Sequence, residues 1–313
     1  MNADVTIIIV TWNSRKDLPG CLGSIPAAAR DVRYEVIVVD NQSTDGTAAL
    51  VESSHPDVRL LVNRENRGFA AANNQAMRLA RSRDVLLLNP DTVLQDRAID
   101  RLVQCLDGHP EASVAGPTVL NSDGSLQRTG VTFPSTWNIL AEALFLDRLL
   151  PRSGIFGRHR RLYQDPRALR EVDYVQGSCL MVRAAAIETA GILDEEYFMY
   201  FEETDWCFRM KQAGGSVLLC PDAAVIHYGG EESSHYGERR LVSYHRGLLL
   251  FYLKHHSLAD AILLRAVLLL RSLLRIGVWL GIAVVRPGQR SHAISSVKGY
   301  ARALGLLFGE RLR

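Results

Sequence analysis

The chain has 313 residues, of which 47% are hydrophobic, enough to bury a sizeable core in one large domain with an appendage. Its 36 basic and 34 acidic residues leave a formal net charge of +2, and with no polybasic block the sequence excludes nucleic acid as a partner. Arginines gather after Gly237 and the acidic clusters lie in the middle of the chain.

Five cysteines, Cys21, Cys105, Cys179, Cys207 and Cys220, stand without a C-x-x-C pair or metal-ligand spacing. That scatter predicts reduced thiols used as small core residues in a cytosolic protein. No basic-then-apolar leader precedes the first predicted strand, which speaks against a cleaved signal peptide.

In chain order, residues 5–10 form a β-branched run too continuous for a half-exposed strand, and Thr11-Trp12-Asn13-Ser14 ends it in turn chemistry. Leu18, Cys21, Leu22 and Ile25 follow at helical spacing. Residues 35–41 make a second buried strand ending in a carboxylate, Asp40, with residues 43–47 as turn and helix cap. A short strand is predicted over 58–62, then a polar loop whose Gly68 admits a positive φ or a close backbone approach. An alanine-rich helix follows over 69–81.

Residues 84–88 are aliphatic after Asp84, the pattern of a strand buried on both faces. Pro90 stops it, so Asp91 leaves the ladder at the carboxyl end, where open parallel sheets bind ligands. Asn89-Pro90-Asp91-Thr92 reads equally well as a plain turn before a helix cap. A helix over 96–106, a strand over 112–118 and a turn at 121–124 come next. Residues 128–170 read as irregular connection, and residues 172–183 as a long strand broken at Gly177, where a missing side chain would let a ligand approach.

Strands alternating with helices imply right-handed crossovers and an α/β fold with a mostly parallel sheet. Neither G-x-G-x-x-G nor G-x-x-x-x-G-K-[ST] occurs in it. A diphosphate bound here would need another counter-charge, and a divalent cation on Asp91 is the economical choice.

Glu202, Glu203 and Asp205 open a helix whose later residues Trp206, Met210 and Ala213 are core-like. Two readings stand side by side. Acids in a first turn favour the helix dipole; a carboxylate desolvated by Tyr200 and Phe201 would gain the proton affinity that a general base requires. Gly214-Gly215 ends the helix, and strands are predicted over 216–220 and 224–227. The second closes on His227, and a lone histidine at a strand end reads first as structural.

Together these pieces resemble a family. Val-Thr-Trp-Asn (10–13), Val-Val-Asp-Asn-x-Ser-Thr-Asp-Gly-Thr (38–47), Asn-Arg-Gly-Phe-Ala-Ala-Ala-Asn-Asn (66–74), Leu-Leu-Asn-Pro-Asp-Thr (87–92), Gly-Ser-Cys-Leu-Met-Val-Arg (177–183) and Tyr-Phe-Glu-Glu-Thr-Asp-Trp-Cys-Phe-Arg (200–209) are similar to motifs of family 2 glycosyltransferases. The likeness is nearest to bacterial rhamnosyltransferases and galactofuranosyltransferases of cell-surface glycan assembly, and it covers roughly residues 4 to 230. The order and spacing of the motifs, more than any one of them, carry it.

The resemblance implies a GT-A nucleotide-diphospho-sugar transferase fold over residues 1–235 and an inverting transfer from a uridine or thymidine diphosphate sugar to a glycan or polyprenyl-linked hydroxyl. Thr11, Trp12, Asn13, Asp40, Asn66, Arg67, Asn89 and Asp91 fall on the donor side, with Asp40 accepting from the N3–H of the base and Arg67 near the diphosphate. Gln176 and Gly177 fall on the acceptor side. Asn89-Pro90-Asp91 takes the place of the family's D-x-D with Asn first, so Asp91 is the expected ligand of Mg2+ or Mn2+. His227 matches a histidine that completes the metal site in some relatives. Glu203 stands where the family places its base, with Glu202 and Asp205 as adjacent catalytic candidates.

Residues 236–313 read as a helical appendage. Residues 244–253 look helical, and residues 261–285 are intensely aliphatic but interrupted by Arg265, Arg271 and Arg275. Three arginines argue against a simple membrane span. They fit amphipathic helices lying at the inner face of the cell membrane, with arginines reaching anionic headgroups; the alternative is packing on the catalytic domain or a second subunit. Two rival classes remain: a nucleotidyltransferase, which would carry a glycine-rich basic loop where this chain has Thr-Trp-Asn-Ser, and a non-catalytic nucleotide-sugar-binding protein.

Overall fold

The structure is a computed structural model and describes residues 3–127, 132–150, 153, 155–156, 168–229 and 237–308. The chain divides into two compact units: Met1–Thr132 with Asp165–Phe198 and Glu202–Gly229, and Phe133–Gln164 with Met199–Phe201 and Gly230–Arg313. The expected boundary at 235 falls on residues 230–236, outside the described residues.

The first unit holds one sheet. Its strands are β1 (Val5–Thr11), β2 (Tyr34–Asp40), β3 (Arg59–Val62), β4 (Asp84–Leu88), β5 (Thr92–Leu94), β6 (Ala112–Leu120), β7 (Arg170–Glu171), β8 (Cys179–Arg183) and β9 (Ser216–His227). They lie in the order β3-β2-β1-β4-β8-β6-β9-β5, with β7 paired to β9. The β3-β2-β1-β4 half is parallel, as is the pair β6-β9, while β8 runs antiparallel between β4 and β6. The chain winds one way from β1 to β2 and the other way to β4, which opens a ligand crevice beyond the carboxyl ends of these strands.

The aliphatic runs follow from two-sided burial. Ile7, Ile9, Val36, Val38, Leu86 and Leu88 face the core under α1 (Leu18–Ala28) and α4 (Ala98–Gly108). Ile8, Ile37, Val39 and Leu87 alternate to the other face and are equally buried. The buried Ala70, Ala72 and Ala76 of α3 (Gly68–Met77) have side chains small enough for a helix to lie close against a sheet.

Several elements depart from the sequence reading. Only residues 179–183 of the predicted long strand join β4, because residues 177–178 turn at the sheet's edge. Two strands predicted over 216–227 are one, β9; a register shift between Pro117 and Thr118 of β6 skips the partner stretch that contains Pro221. Within residues 128–170, read as irregular, lie helices α5 (Thr136–Ala143) and α6 (Leu146–Leu149). Cys105 and Cys220 form a disulfide (S–S 2.06 Å), which corrects the expectation of five reduced thiols. They are 115 residues apart and meet only because α4 packs on β9, so spacing carries no signal of the bond. Cys21, Cys179 and Cys207 are free and buried, and burial pushes the Cys179 and Cys207 thiols up to about 12.

In the first unit, α2 (Thr47–Ser54) precedes β3, and α7 (Ala184–Ala190) and α8 (Glu202–Gln212) follow β8. The helical unit contains α9 (Gly237–His255), α10 (Leu258–Val285) and α11 (Arg290–Leu307), the last within the appendage that sequence reads as helical without bounding it. Phe201 packs on Tyr244 and Phe251. Arg271 lies over the Tyr244 ring and 4.0 Å from Glu142, while Arg275 lies over Phe145 and donates to the Glu142 carbonyl at 3.1 Å. These two arginines thus turn into the unit instead of reaching outward, because α5 packs along that side of α10.

Candidate active site

Strand register gathers the site. Thr11 pairs with Asp40, Leu88 with Cys179 and Thr92 with His227, so three strand pairs bring their ends together. Thr11 Oγ1 donates to Asp40 Oδ1 at 3.0 Å, and the Ser43 N–H donates to Asp40 Oδ2 at 2.9 Å. Both side chains are buried, so the carboxylate is held in one orientation. Asn13, at φ 54°, accepts from the Thr44 N–H at 2.8 Å. Trp12 beside it is 43% exposed, an aromatic surface open to a ligand.

Asn66 and Arg67 are arranged by a residue that sequence reasoning missed. Buried Asn41 donates to Asn66 Oδ1 and the Gly68 carbonyl, each at 3.1 Å, and accepts from Asn63 Nδ2 at 3.0 Å and the Arg67 N–H at 3.1 Å. Its position directly after Asp40 was the available signal. The Arg67 side chain is left exposed.

Asp91 and His227 come together, with His227 Nε2 3.4 Å from Asp91 Oδ1. The Tyr228 N–H fixes the same junction by donating to the Asp91 carbonyl at 2.9 Å. His227 Nδ1 lies 3.1 Å from Gln127 Oε1, and Gln127 Nε2 donates to the His227 carbonyl at 2.6 Å. An amide oxygen only accepts, so Nδ1 carries a proton, and Nε2 is the ring nitrogen that faces Asp91. Asp91 Oδ1 is buried and has no hydrogen-bond partner among the described residues. Two candidate ligand atoms therefore converge, and a Cβ at Gly229 would lie 2.4 Å from His227 Nε2 and 2.6 Å from Asp91 Oδ2. Carboxylate, imidazole and a cradle kept open by glycine fit a divalent cation. Among the described residues no cluster of three or more His, Cys, Asp or Glu side chains could hold a metal. Gln127, which orients the imidazole, had no sequence pattern to reveal it.

The Asn89 N–H donates to the Ser178 carbonyl at 2.9 Å, linking this junction to the turn at 177–178 that follows Gln176. A Cβ on Gly177 would meet Glu203 Cβ at 3.8 Å and the Phe69 ring at 3.7 Å, ordinary contact distances. Gly177 therefore borders Glu203 without an enforced close approach. The three acids of α8 differ in setting. Glu202 is 5% exposed, and burial first, then the neighbouring Glu203 charge, raises its pKa well above the carboxylate range. Glu203 is half-buried. Asp205 is buried, accepts from Arg209 Nε at 2.7 Å and faces the Tyr197 hydroxyl at 3.5 Å, so its carboxylate anchors the helix start. Tyr200 and Phe201 enter α8 at φ 71° and 76°, two consecutive left-handed residues, costly conformations that persist where the surroundings impose them.

The model of glycosyl transferase family 2 matches residues 6–188, more than half of the chain. An N-acetylglucosaminyl-diphospho-decaprenol L-rhamnosyltransferase of Mycobacterium tuberculosis is 29% identical over 290 residues, spanning 86% of this chain and 94% of its own. The dTDP-rhamnosyl transferase RfbF of Shigella flexneri is 24% identical over 237 residues, 74% of this chain and 72% of its own. Among solved structures, the mannosyltransferase PcManGT from Pyrobaculum calidifontis, in complex with GDP-Man and Mn2+, aligns with a TM-score of 0.59 at 17% identity, over 98% of this chain and 87% of that one. S. aureus TarS 1-349 aligns with a TM-score of 0.51 at 16% identity, over 97% and 90%. Strand order, site geometry and these likenesses converge: the chain belongs to glycosyl transferase family 2, as a GT-A-fold glycosyltransferase near the rhamnosyltransferases.

Proposed function

We propose that this enzyme transfers rhamnose or a similar sugar, with inversion, from a thymidine or uridine diphosphate donor to a hydroxyl of a polyprenyl-linked, cell-surface glycan, working at the cytoplasmic face of the membrane. The names of the two relatives, a rhamnosyltransferase acting on a decaprenyl-linked sugar and a dTDP-rhamnosyl transferase, support the donor and acceptor classes. The observation that carries the reading is the convergence of Asp91 Oδ1 and His227 Nε2 at 3.4 Å on the sheet edge that also bears the Gly177 turn bordering Glu203.

In this reading Thr11 holds Asp40 to accept the N3–H of the base, Trp12 and Asn13 border the nucleoside, and Asn66 sets the loop from which Arg67 meets the diphosphate. A divalent cation, Mg2+ or Mn2+, held by Asp91 and His227 with Asn89 as a neutral oxygen donor, supplies positive charge against the departing diphosphate. Glu203 takes the proton of the acceptor hydroxyl as its oxygen bonds to the anomeric carbon. The bond from that carbon to the diphosphate oxygen breaks on the opposite face, so the configuration inverts. Gln176 and Gly177 border the acceptor. Glu202, neutral in its buried setting, holds its proton, and Asp205 positions the first turn of α8.

Glu203→Gln keeps the shape of the side chain and removes the base. It should lower kcat by about 10²–10⁴-fold and leave the calorimetric Kd for the donor nucleotide unchanged. A Glu203→Gln enzyme with full turnover overturns the assignment.

A further inference from the structure

Helix α10 is, among the described residues, the one long and apolar enough by length and composition to cross a membrane. Its 28 residues extend about 42 Å. Its exposed side chains are not scattered. Ile262, Leu263, Leu270, Leu273, Leu280 and Val284 recur at helical spacing on one stripe, with Leu273 55% and Val284 81% exposed. The opposite side carries the buried Ala261, Leu264 and Leu268 together with Arg271, only 14% exposed, and Arg275. A helix facing water puts its charges outward; α10 turns these two cations in toward Glu142, Tyr244 and Phe145 and shows aliphatic side chains outward.

Charge follows at the helix end. Val284 and Val285 are exposed, and so are Arg286 and Arg290 just after them. A shallow cavity of ≈ 640 Å³ beside it is lined by Arg290, Ser291, Ser295 and Lys298 and also by Glu238, whose carboxylate is paired with Arg302, so two cations and two hydroxyls remain to meet phosphate oxygens. Trp279 packs edge-on against His292 at 5.1 Å, which ties the end of α10 to this cationic segment.

We infer that the outward stripe of α10 and the Arg286–Arg290–Lys298 rim form a docking surface for an anionic phospholipid bilayer, with the helix lying in the interface. The polar inner side packed on α5 keeps α10 from spanning, and the positive rim selects anionic headgroups. The inference rests on the helical unit alone, so its failure would leave the transfer reaction untouched.

Flotation of the full chain with vesicles of phosphatidylcholine, with and without phosphatidylglycerol, tests it. Wild type should float with the phosphatidylglycerol vesicles. Leu273→Asp with Leu280→Asp should lower the bound fraction by more than about tenfold, and Arg290→Glu with Lys298→Glu should abolish the preference for phosphatidylglycerol. Circular dichroism checks that the surface variants keep their helices. Independently of those variants, a tryptophan placed on the stripe by Leu273→Trp, its emission taken as the variant minus wild type, should be quenched by lipids brominated on their acyl chains. The inference is overturned if wild type ignores both vesicles, if the leucine variant folds and floats like wild type, if the Leu273→Trp emission is not quenched, or if the stripe proves to be a dimer interface that the leucine variant dissociates without any vesicle binding.

Discussion

Two adjacent carboxylates in α8 meet different surroundings. Glu202 is buried and its proton affinity is raised, first by lost solvation and then by Glu203; Glu203, one step round the helix, is half-buried beside Gly177. A carboxyl whose folded pKa lies above its ordinary value of about 4.3 holds its proton to higher pH when folded than when unfolded. Stability therefore falls as pH rises from that ordinary value through the raised one. Glu202→Gln has no such proton to lose, so its Tm should exceed wild type above the ordinary carboxyl range, by a margin that grows with pH. Differential scanning fluorimetry across pH 4 to 8 checks this, and parallel Tm curves for the two proteins would contradict it. Sequence made the acids visible but not which of them is buried, since that depends on how residues 200–201 turn into the helix. Asp91 was legible because Pro90 cuts the ladder just before it; Gln127 and Asn41, amides whose work is orienting neighbours across loops, had no periodicity to reveal them.

The elements that sequence identified are those with strong local patterns. β1, β2 and β4 are continuous aliphatic runs because helices cover both faces of the sheet. The short β5 has three residues, too few to show an alternation, and β9 passes Pro221 only because β6 shifts register opposite it. α11 was covered only by the general reading of 236–313 as helical, because its buried residues include Ala293, Ser296 and Gly299, small side chains that leave little apolar contrast to bound it. Gly68 was read correctly on both counts. It sits at φ 81°, and an added Cβ would fall 2.5 Å from the Phe198 carbonyl oxygen. The loop carrying Asn66 and Arg67 enters α3 through this residue, so Gly68→Ala should lose about 2 kcal/mol or more in urea unfolding and weaken donor binding as well. An unchanged unfolding midpoint would contradict the packing described.

At the scale of the molecule, the catalytic unit is closed on itself by the Cys105–Cys220 disulfide, and the three remaining thiols are buried. Alkylation of the denatured, unreduced protein should label three cysteines by mass spectrometry, and all five after reduction. Cys105→Ser with Cys220→Ser should cost roughly 2–5 kcal/mol, as expected for closing a loop of this length. Five labels without reduction would count against the bond.

The catalytic account depends on the meeting of the start of β5 with the end of β9, where Asp91 and His227 face each other over a space that Gly229 keeps open. Calorimetric titration of Mn2+ into the protein saturated with dTDP addresses it most directly. Wild type should bind the ion, while Asp91→Ala and Gly229→Ala, the second adding only a methyl group, should each weaken it by about tenfold or more. Equal affinity in all three proteins would contradict the account.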